Sequence, residues 1–101
     1  MEVLTIYYLT SILVFMSSRS LQTLITNLEH STSQKVLKDF LVGILTPKEI
    51  EEIAVRIEII KQLKKGIPQQ QIAKKLQVGI ATVTRGSKEL QKGRFSTWRN
   101  A

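Results

Sequence analysis

The residues best equipped for chemistry in this 101-residue chain are its cations: 15 Lys and Arg stand against 8 Asp and Glu, for a net charge of +7. Their placement is uneven. Residues 59–101 hold ten basic side chains and a single acid, Glu89, whereas residues 1–16 and 17–58 each come to −1. A cationic excess confined to one segment is the electrostatic footprint of a surface that captures a polyanion; the competing reading is a solvated basic face. Other chemistries lack their residues. There is no cysteine, hence no disulfide framework, thiolate metal site or thiol nucleophile. A lone histidine, His30, leaves a zinc site without ligands and imidazole acid–base catalysis without partners. With no nucleophile–base pair and no phosphate-cradling glycine loop, the chain is expected not to be an enzyme.

Elements must present these cations, and the pattern after residue 17 is helical: no stretch alternates polar and apolar residues as a strand does. Leu21, Leu24, Ile25 and Leu28 fall on one helical face. Ser31 and Gln34 have the spacing of a capping box. Behind them Val36, Leu37, Phe40 and Leu41 form an apolar face, and Gly43 can end that helix. Thr46-Pro47-Lys48-Glu49 is a stronger start, with threonine as cap, proline at the first helical position and glutamate closing the box. The stripe Ile50, Ile53, Ala54, Ile57, Ile60 and Leu63 then predicts the longest helix, stopped by Gly66.

Residues 17–66 are read as a helical dimerisation core and 67–92 as a basic head. Residues 93–101 are read as a truncated last helix or tail with Trp98 as a packing anchor. Residues 1–16 stand apart, twelve of them being apolar or aromatic. They fall short of the roughly 20 residues of a membrane span and lack the charged start of a secretory signal. A translation start at Met16 is the first reading. An arm packed on a partner subunit and a weak membrane-associating segment are the others.

Within the basic segment Pro68 opens a short helix to Leu76, Gln77-Val78-Gly79 turns, and Ile80 to Gln91 forms a second helix ended by Gly93. Two short helices joined by a tight turn make a helix-turn-helix. Ile72, Leu76, Val78 and Val83 occupy the positions where the helices touch, and Ala73 is small where they cross. Gln77 stands where glycine is usual, with Gly79 as a substitute source of flexibility, and Gly86 stands where an apolar residue is usual. The second helix would enter the major groove by its N-terminus. Ile80 and Ala81 suit a thymine methyl. No Asn or Gln leads the helix, so base reading would rest on the Thr82 and Thr84 hydroxyls, bridging waters and DNA shape. Phosphate contacts are expected from Gln69, Lys74, Lys75, Thr82, Thr84 and Lys88, with about half of the lysines left as solvated charges.

The blocks LTPKEIEEIAVRI at 45–57 and GIATVTRGS at 79–87 resemble the tryptophan operon repressor family, over roughly residues 20–98 and at the family's separation. The resemblance implies an all-α fold, an intertwined helical homodimer with two helix-turn-helix heads. It further implies a cytoplasmic bacterial repressor acting on trp biosynthesis and transport operators, with L-tryptophan as corepressor and no other cofactor or metal. By the same resemblance Arg56 and Arg85 sandwich the indole, Arg85 also reaching the ligand carboxylate. Thr46 lies near that carboxylate, Leu45 offers a backbone carbonyl to the ammonium from the other subunit, and Gly86 leaves room for the ring. Plainer roles compete: Thr46 as a helix cap, Arg56 as an ion pair with Glu52.

Glu89 stands where the best-known members carry a serine that contacts the ligand amine. A carboxylate there can pair with the ammonium or disfavour the ligand carboxylate, which leaves effector choice open. Ala73 replaces a phosphate-touching lysine, and the turn at Gly66-Ile67-Pro68 is one residue shorter. A two-fold dimer would space its heads about 34–36 Å apart on a palindromic double-stranded operator. The alternatives are a similar DNA-binding regulator with another effector or none, and a helical membrane-associated interaction protein using residues 1–16.

Overall fold

The computed structural model describes residues 2–98, which form five helices and no strand: α1 (Glu2–Glu29), α2 (Gln34–Ile44), α3 (Pro47–Lys64), α4 (Gln69–Leu76) and α5 (Ile80–Gln91). The all-α expectation holds. Contacts divide the chain into two units, one ending at Ile44 and the other beginning at Leu45.

In the first unit α1 runs unbroken through residues read as a separate extension. Its 28 residues, not the 18 of α3, make the longest helix. The change of polarity near Met16 is no helix breaker, and neither Gly nor Pro occurs between Glu2 and Glu29. Thr10 and Thr23 each return a hydroxyl hydrogen bond to the carbonyl four residues back, at 2.8 and 3.0 Å. Val3, Leu4, Ile6, Tyr7, Tyr8 and Leu9 are exposed, as are Leu21, Leu24, Ile25 and Leu28. Among the described residues no helix is long and apolar enough to cross a membrane. α2 starts at Ser33 rather than at the predicted Ser31. The Ser33 hydroxyl accepts the Val36 N–H at 3.2 Å, which puts the capping oxygen directly before the first turn. Gly43 does not end α2. It stays helical without the positive φ of a C-terminal cap, and the helix runs on to Ile44.

In the second unit Thr46 starts α3 as its spacing predicts. Thr46 Oγ1 accepts the Glu49 N–H at 3.1 Å, and Glu49 Oε1 accepts the Thr46 N–H at 2.9 Å. Gly66, at φ 82°, closes the other end: its N–H donates to the Leu63 carbonyl and the Ile67 N–H to that of Gln62. Among the described residues the centre of the core is one residue from each of three helices, Ile59, Ile72 and Val83, each 1% exposed or less, with Ile60 buried beside them. Val55, Leu63, Ile67, Ala73, Leu76 and Val78 pack around them. The face that α3 turns to α4 and α5 is therefore Val55–Ile59–Leu63. From the predicted stripe Ile50, Ile53 and Ile57 stay exposed. The helix is apolar on two sides, and periodicity alone does not say which side meets the head.

The turn between α4 and α5 also corrects an expectation. Gln77 itself takes the left-handed conformation, φ 56° and ψ 47°, while Gly79 is ordinary extended backbone at φ −66°. The Val78 N–H reaches the Ala73 carbonyl at 3.0 Å, the bond that needs a left-handed residue before it. Beyond α5, Gly93 at φ 89° repeats the closure, and residues 92–97 are turns rather than a further helix. Residues 99–101 of the expected tail lie outside the described residues.

Two outcomes follow from these ends. Gln77→Gly should raise stability by about 1 kcal/mol in urea unfolding, because glycine adopts the left-handed turn without the side-chain clash; a loss of stability would contradict the strain. Glu49 is held below the usual glutamate range by the Thr46 backbone N–H first and the Thr46 side chain second. Its contribution is present above the ordinary glutamate pKa and is lost as pH falls through the lowered value. A carboxyl NMR titration should place Glu49 below an ordinary glutamate, and a midpoint at or above that value would contradict the cap.

Candidate ligand cleft and nucleic-acid interface

The second unit holds a cleft of about 800 Å³. α3 supplies Ile53, Arg56, Ile57, Ile59 and Ile60. α5 supplies Ala81, Thr82, Arg85, Gly86 and Glu89, and the turns after α5 add Phe95, Thr97 and Trp98. An apolar lining with a few convergent charged groups suits a small organic ligand. α5 comes close to α3 at Gly86, where a Cβ would meet Ile59 Cγ2 and Ile60 Cδ1 at 3.2 Å and Leu63 Cδ1 at 3.4 Å. The hydrogen in place of a side chain thus serves helix approach, at the border of the cleft.

Arg56 and Arg85 enter the lining from different helices, and both are exposed. Among the described residues the ion pairs belong to Glu89, so Arg56 is not paired with Glu52. Two such guanidinium groups can stack on a planar ring or grip a carboxylate. Glu89 is half-buried. Its Oε1 lies 3.2 Å from Lys92 Nζ and its Oε2 3.2 Å from Arg94 Nε. These hydrogen bonds, that of Lys92 first, hold the carboxyl below the usual range. It is ionised at neutral pH and already faces two cations of its own chain, which softens both its pull on an ammonium and its repulsion of a carboxylate.

Leu45 and Thr46 lie outside this lining, and Thr46 is engaged as the cap of α3. Phe95, Thr97 and Trp98 were not predicted as cleft residues. The tail turns at Gly93 and is tied back to α3 by Lys64, a tertiary consequence that composition does not carry. Ile53, Ile57 and Ile60 carry helical spacing, but a stripe facing a cleft and a stripe facing a core have the same period.

The helix-turn-helix presents a second surface. Ile80, Ala81 and Thr82 are exposed at the start of α5, and Lys74, Lys75 and Lys88 are exposed beside it. Gln69 and Thr84 are not independent: the Thr84 hydroxyl donates to Gln69 Oε1 at 2.8 Å and ties α4 to α5. The Gln69 amide nitrogen and the Thr84 oxygen lone pairs keep capacity for a phosphate. Neither α4 nor α5 has a side-chain cap at its N-terminus.

Comparison with known proteins matches residues 19–97 to the family described as Trp repressor protein. The Trp operon repressor homolog of Vibrio vulnificus is 42% identical over 71 residues, covering 69% of this chain and 70% of its own. That of Vibrio parahaemolyticus is 38% identical over 74 residues, 72% of each chain. That of Actinobacillus succinogenes is 36% identical over 70 residues, 68% of this chain and 69% of its own. A match that runs through both the cleft and the helix-turn-helix places the chain in the Trp repressor protein family.

Proposed function

We propose that the chain is a sequence-specific DNA-binding transcriptional repressor of the bacterial cytoplasm, gated by L-tryptophan as corepressor and acting on trp biosynthesis and transport operators. The observation that carries this reading is that one helix serves two surfaces. Ala81, Thr82, Arg85, Gly86 and Glu89 of α5 line the cleft, and the same helix leads with Ile80, Ala81 and Thr82 as the reading element of the helix-turn-helix. A ligand that binds best when α5 sits in one pose against α3 shifts the population toward that pose, and the pose decides how the helix enters the major groove.

In this reading Arg56 and Arg85 take the two faces of the indole and Arg85 also pairs with the ligand carboxylate. A second copy of the chain brings Leu45 and Thr46 to the ligand ammonium and carboxylate, consistent with their place outside the cleft of one protomer. The apolar rows left exposed on α1 and on α3 supply surface for an intertwined homodimer, with residues 17–66 as its core, 67–92 as the head and 93–101 as a tail. Lys74, Lys75 and Lys88 neutralise phosphates, and the uncapped starts of α4 and α5 offer backbone N–H groups to phosphate oxygens. Two heads then read a palindromic operator.

One observation favours a second reading, the same repressor build with another effector: Glu89 puts a carboxylate into the cleft wall. Calorimetric titration separates the two. If L-tryptophan is the effector, it binds the wild type, Arg85→Ala weakens it by about tenfold, and Glu89→Ala weakens it further through loss of a partner for the ammonium. Absence of binding by the wild type, or tighter binding to Glu89→Ala, supports the second reading instead. For DNA, Lys74→Gln with Lys75→Gln should weaken operator and non-operator duplexes alike and lower the salt slope by about one to two contacts. An unchanged slope would remove these lysines from the interface.

A further inference from the structure

We propose that the segment after α5 is a third, aromatic wall of the effector cleft, in which Trp98 contacts the ligand ring and sets a preference for a large flat side chain, and Lys64 positions it. The proposal rests on the effector reading above.

Five observations carry it. Phe95, Thr97 and Trp98 line the same cleft as Arg56 and Arg85. The segment is not held there by the core, for Phe95 and Thr97 are exposed and Trp98 only half-buried. What holds it is Lys64. Its ammonium donates to the Phe95 carbonyl at 2.9 Å and the Trp98 carbonyl at 3.1 Å, and lies 5.5 Å from the Trp98 ring centroid. The backbone is also bent to bring the rings there: Phe95 has φ 63°, a conformation costly for a bulky residue, which persists only where its surroundings over-determine it. The Phe95 and Trp98 rings meet edge to face at 6.2 Å.

A half-exposed indole beside an apolar cleft gains both burial and ring–ring contact when an aromatic ligand enters. Guanidinium groups supply electrostatic attraction to any aromatic amino acid. A wall of two rings on the remaining side rewards the bicyclic ligand over the smaller one, because only the larger side chain fills the space up to it. The preference for tryptophan over phenylalanine is thereby assigned in part to a residue outside α3 and α5.

The test is calorimetric titration of the full chain with L-tryptophan and with L-phenylalanine, for wild type, Trp98→Ala, Trp98→Phe and Lys64→Met. Trp98→Ala should bind L-tryptophan about fivefold more weakly and narrow its margin over L-phenylalanine, with Trp98→Phe within about twofold of wild type. Lys64→Met should weaken binding by about threefold, and that loss should vanish in the Trp98→Ala background, which a general loss of stability would not produce. As a check independent of variant folding, Trp98 is the single tryptophan of the chain, and its 5-fluoro derivative should shift its fluorine resonance on saturation with L-tryptophan. If the wild type binds L-tryptophan but Trp98→Ala binds it equally well, or the resonance does not move, the wall is overturned and the effector reading stands. If the wild type does not bind L-tryptophan, both fall.

Discussion

The close passage of α5 over α3 at Gly86 is the constraint on which the rest of the second unit depends. Three α3 methyl groups stand 3.2–3.4 Å from where a side chain would begin. Val83, one turn earlier on the same helix, is fully buried with Ile59 and Ile72. The same proximity lets Arg56 on one helix and Arg85 on the other border a common cleft. Core and cleft are thus two sides of one helix contact. A change in how α5 rests on α3 is felt at the cleft and at the exposed start of α5 together, which is the mechanical requirement for a ligand to govern a DNA-reading helix.

The charge pattern gains meaning from the same geometry. Ten cations lie in residues 59–101, but among the described residues Lys64, Lys92 and Arg94 serve the unit itself. Lys64 holds two tail carbonyls, and Lys92 and Arg94 hold Glu89. A count of charge therefore overstates what is available to a polyanion. Lys74, Lys75 and Lys88 remain exposed around the helix-turn-helix. Glu89, the sole acid of the segment, is embraced by its own cations rather than left to bias the cleft unopposed.

What the sequence made legible was written in local codes. Thr46-Pro47 with Glu49, and Gly66, mark the ends of α3 because capping chemistry involves only near neighbours. Ile72, Val78 and Val83 announced the contact of α4 with α5 for a similar reason, since the two helices are joined by a short turn. Misreadings arose where the deciding factor was remote or permissive. Gly43 had the freedom to end α2 and did not use it. Gln77 accepted a left-handed turn that glycine usually takes, because tertiary packing of α4 against α5 set the turn. At the cleft, Arg56, Arg85 and Gly86 of the two motif blocks share one lining with Glu89, which was singled out because it departs from the family pattern. Phe95 and Trp98 were not found, since their place depends on a fold-back anchored by Lys64, thirty-one and thirty-four residues away in sequence.

The proposed coupling between the cleft and the exposed start of α5 is tested most directly by operator affinity measured at one fixed salt concentration, with and without saturating L-tryptophan. Tightening by about tenfold or more is expected if cleft occupancy selects the DNA-competent pose of α5. Equal affinity in the two conditions would contradict that coupling.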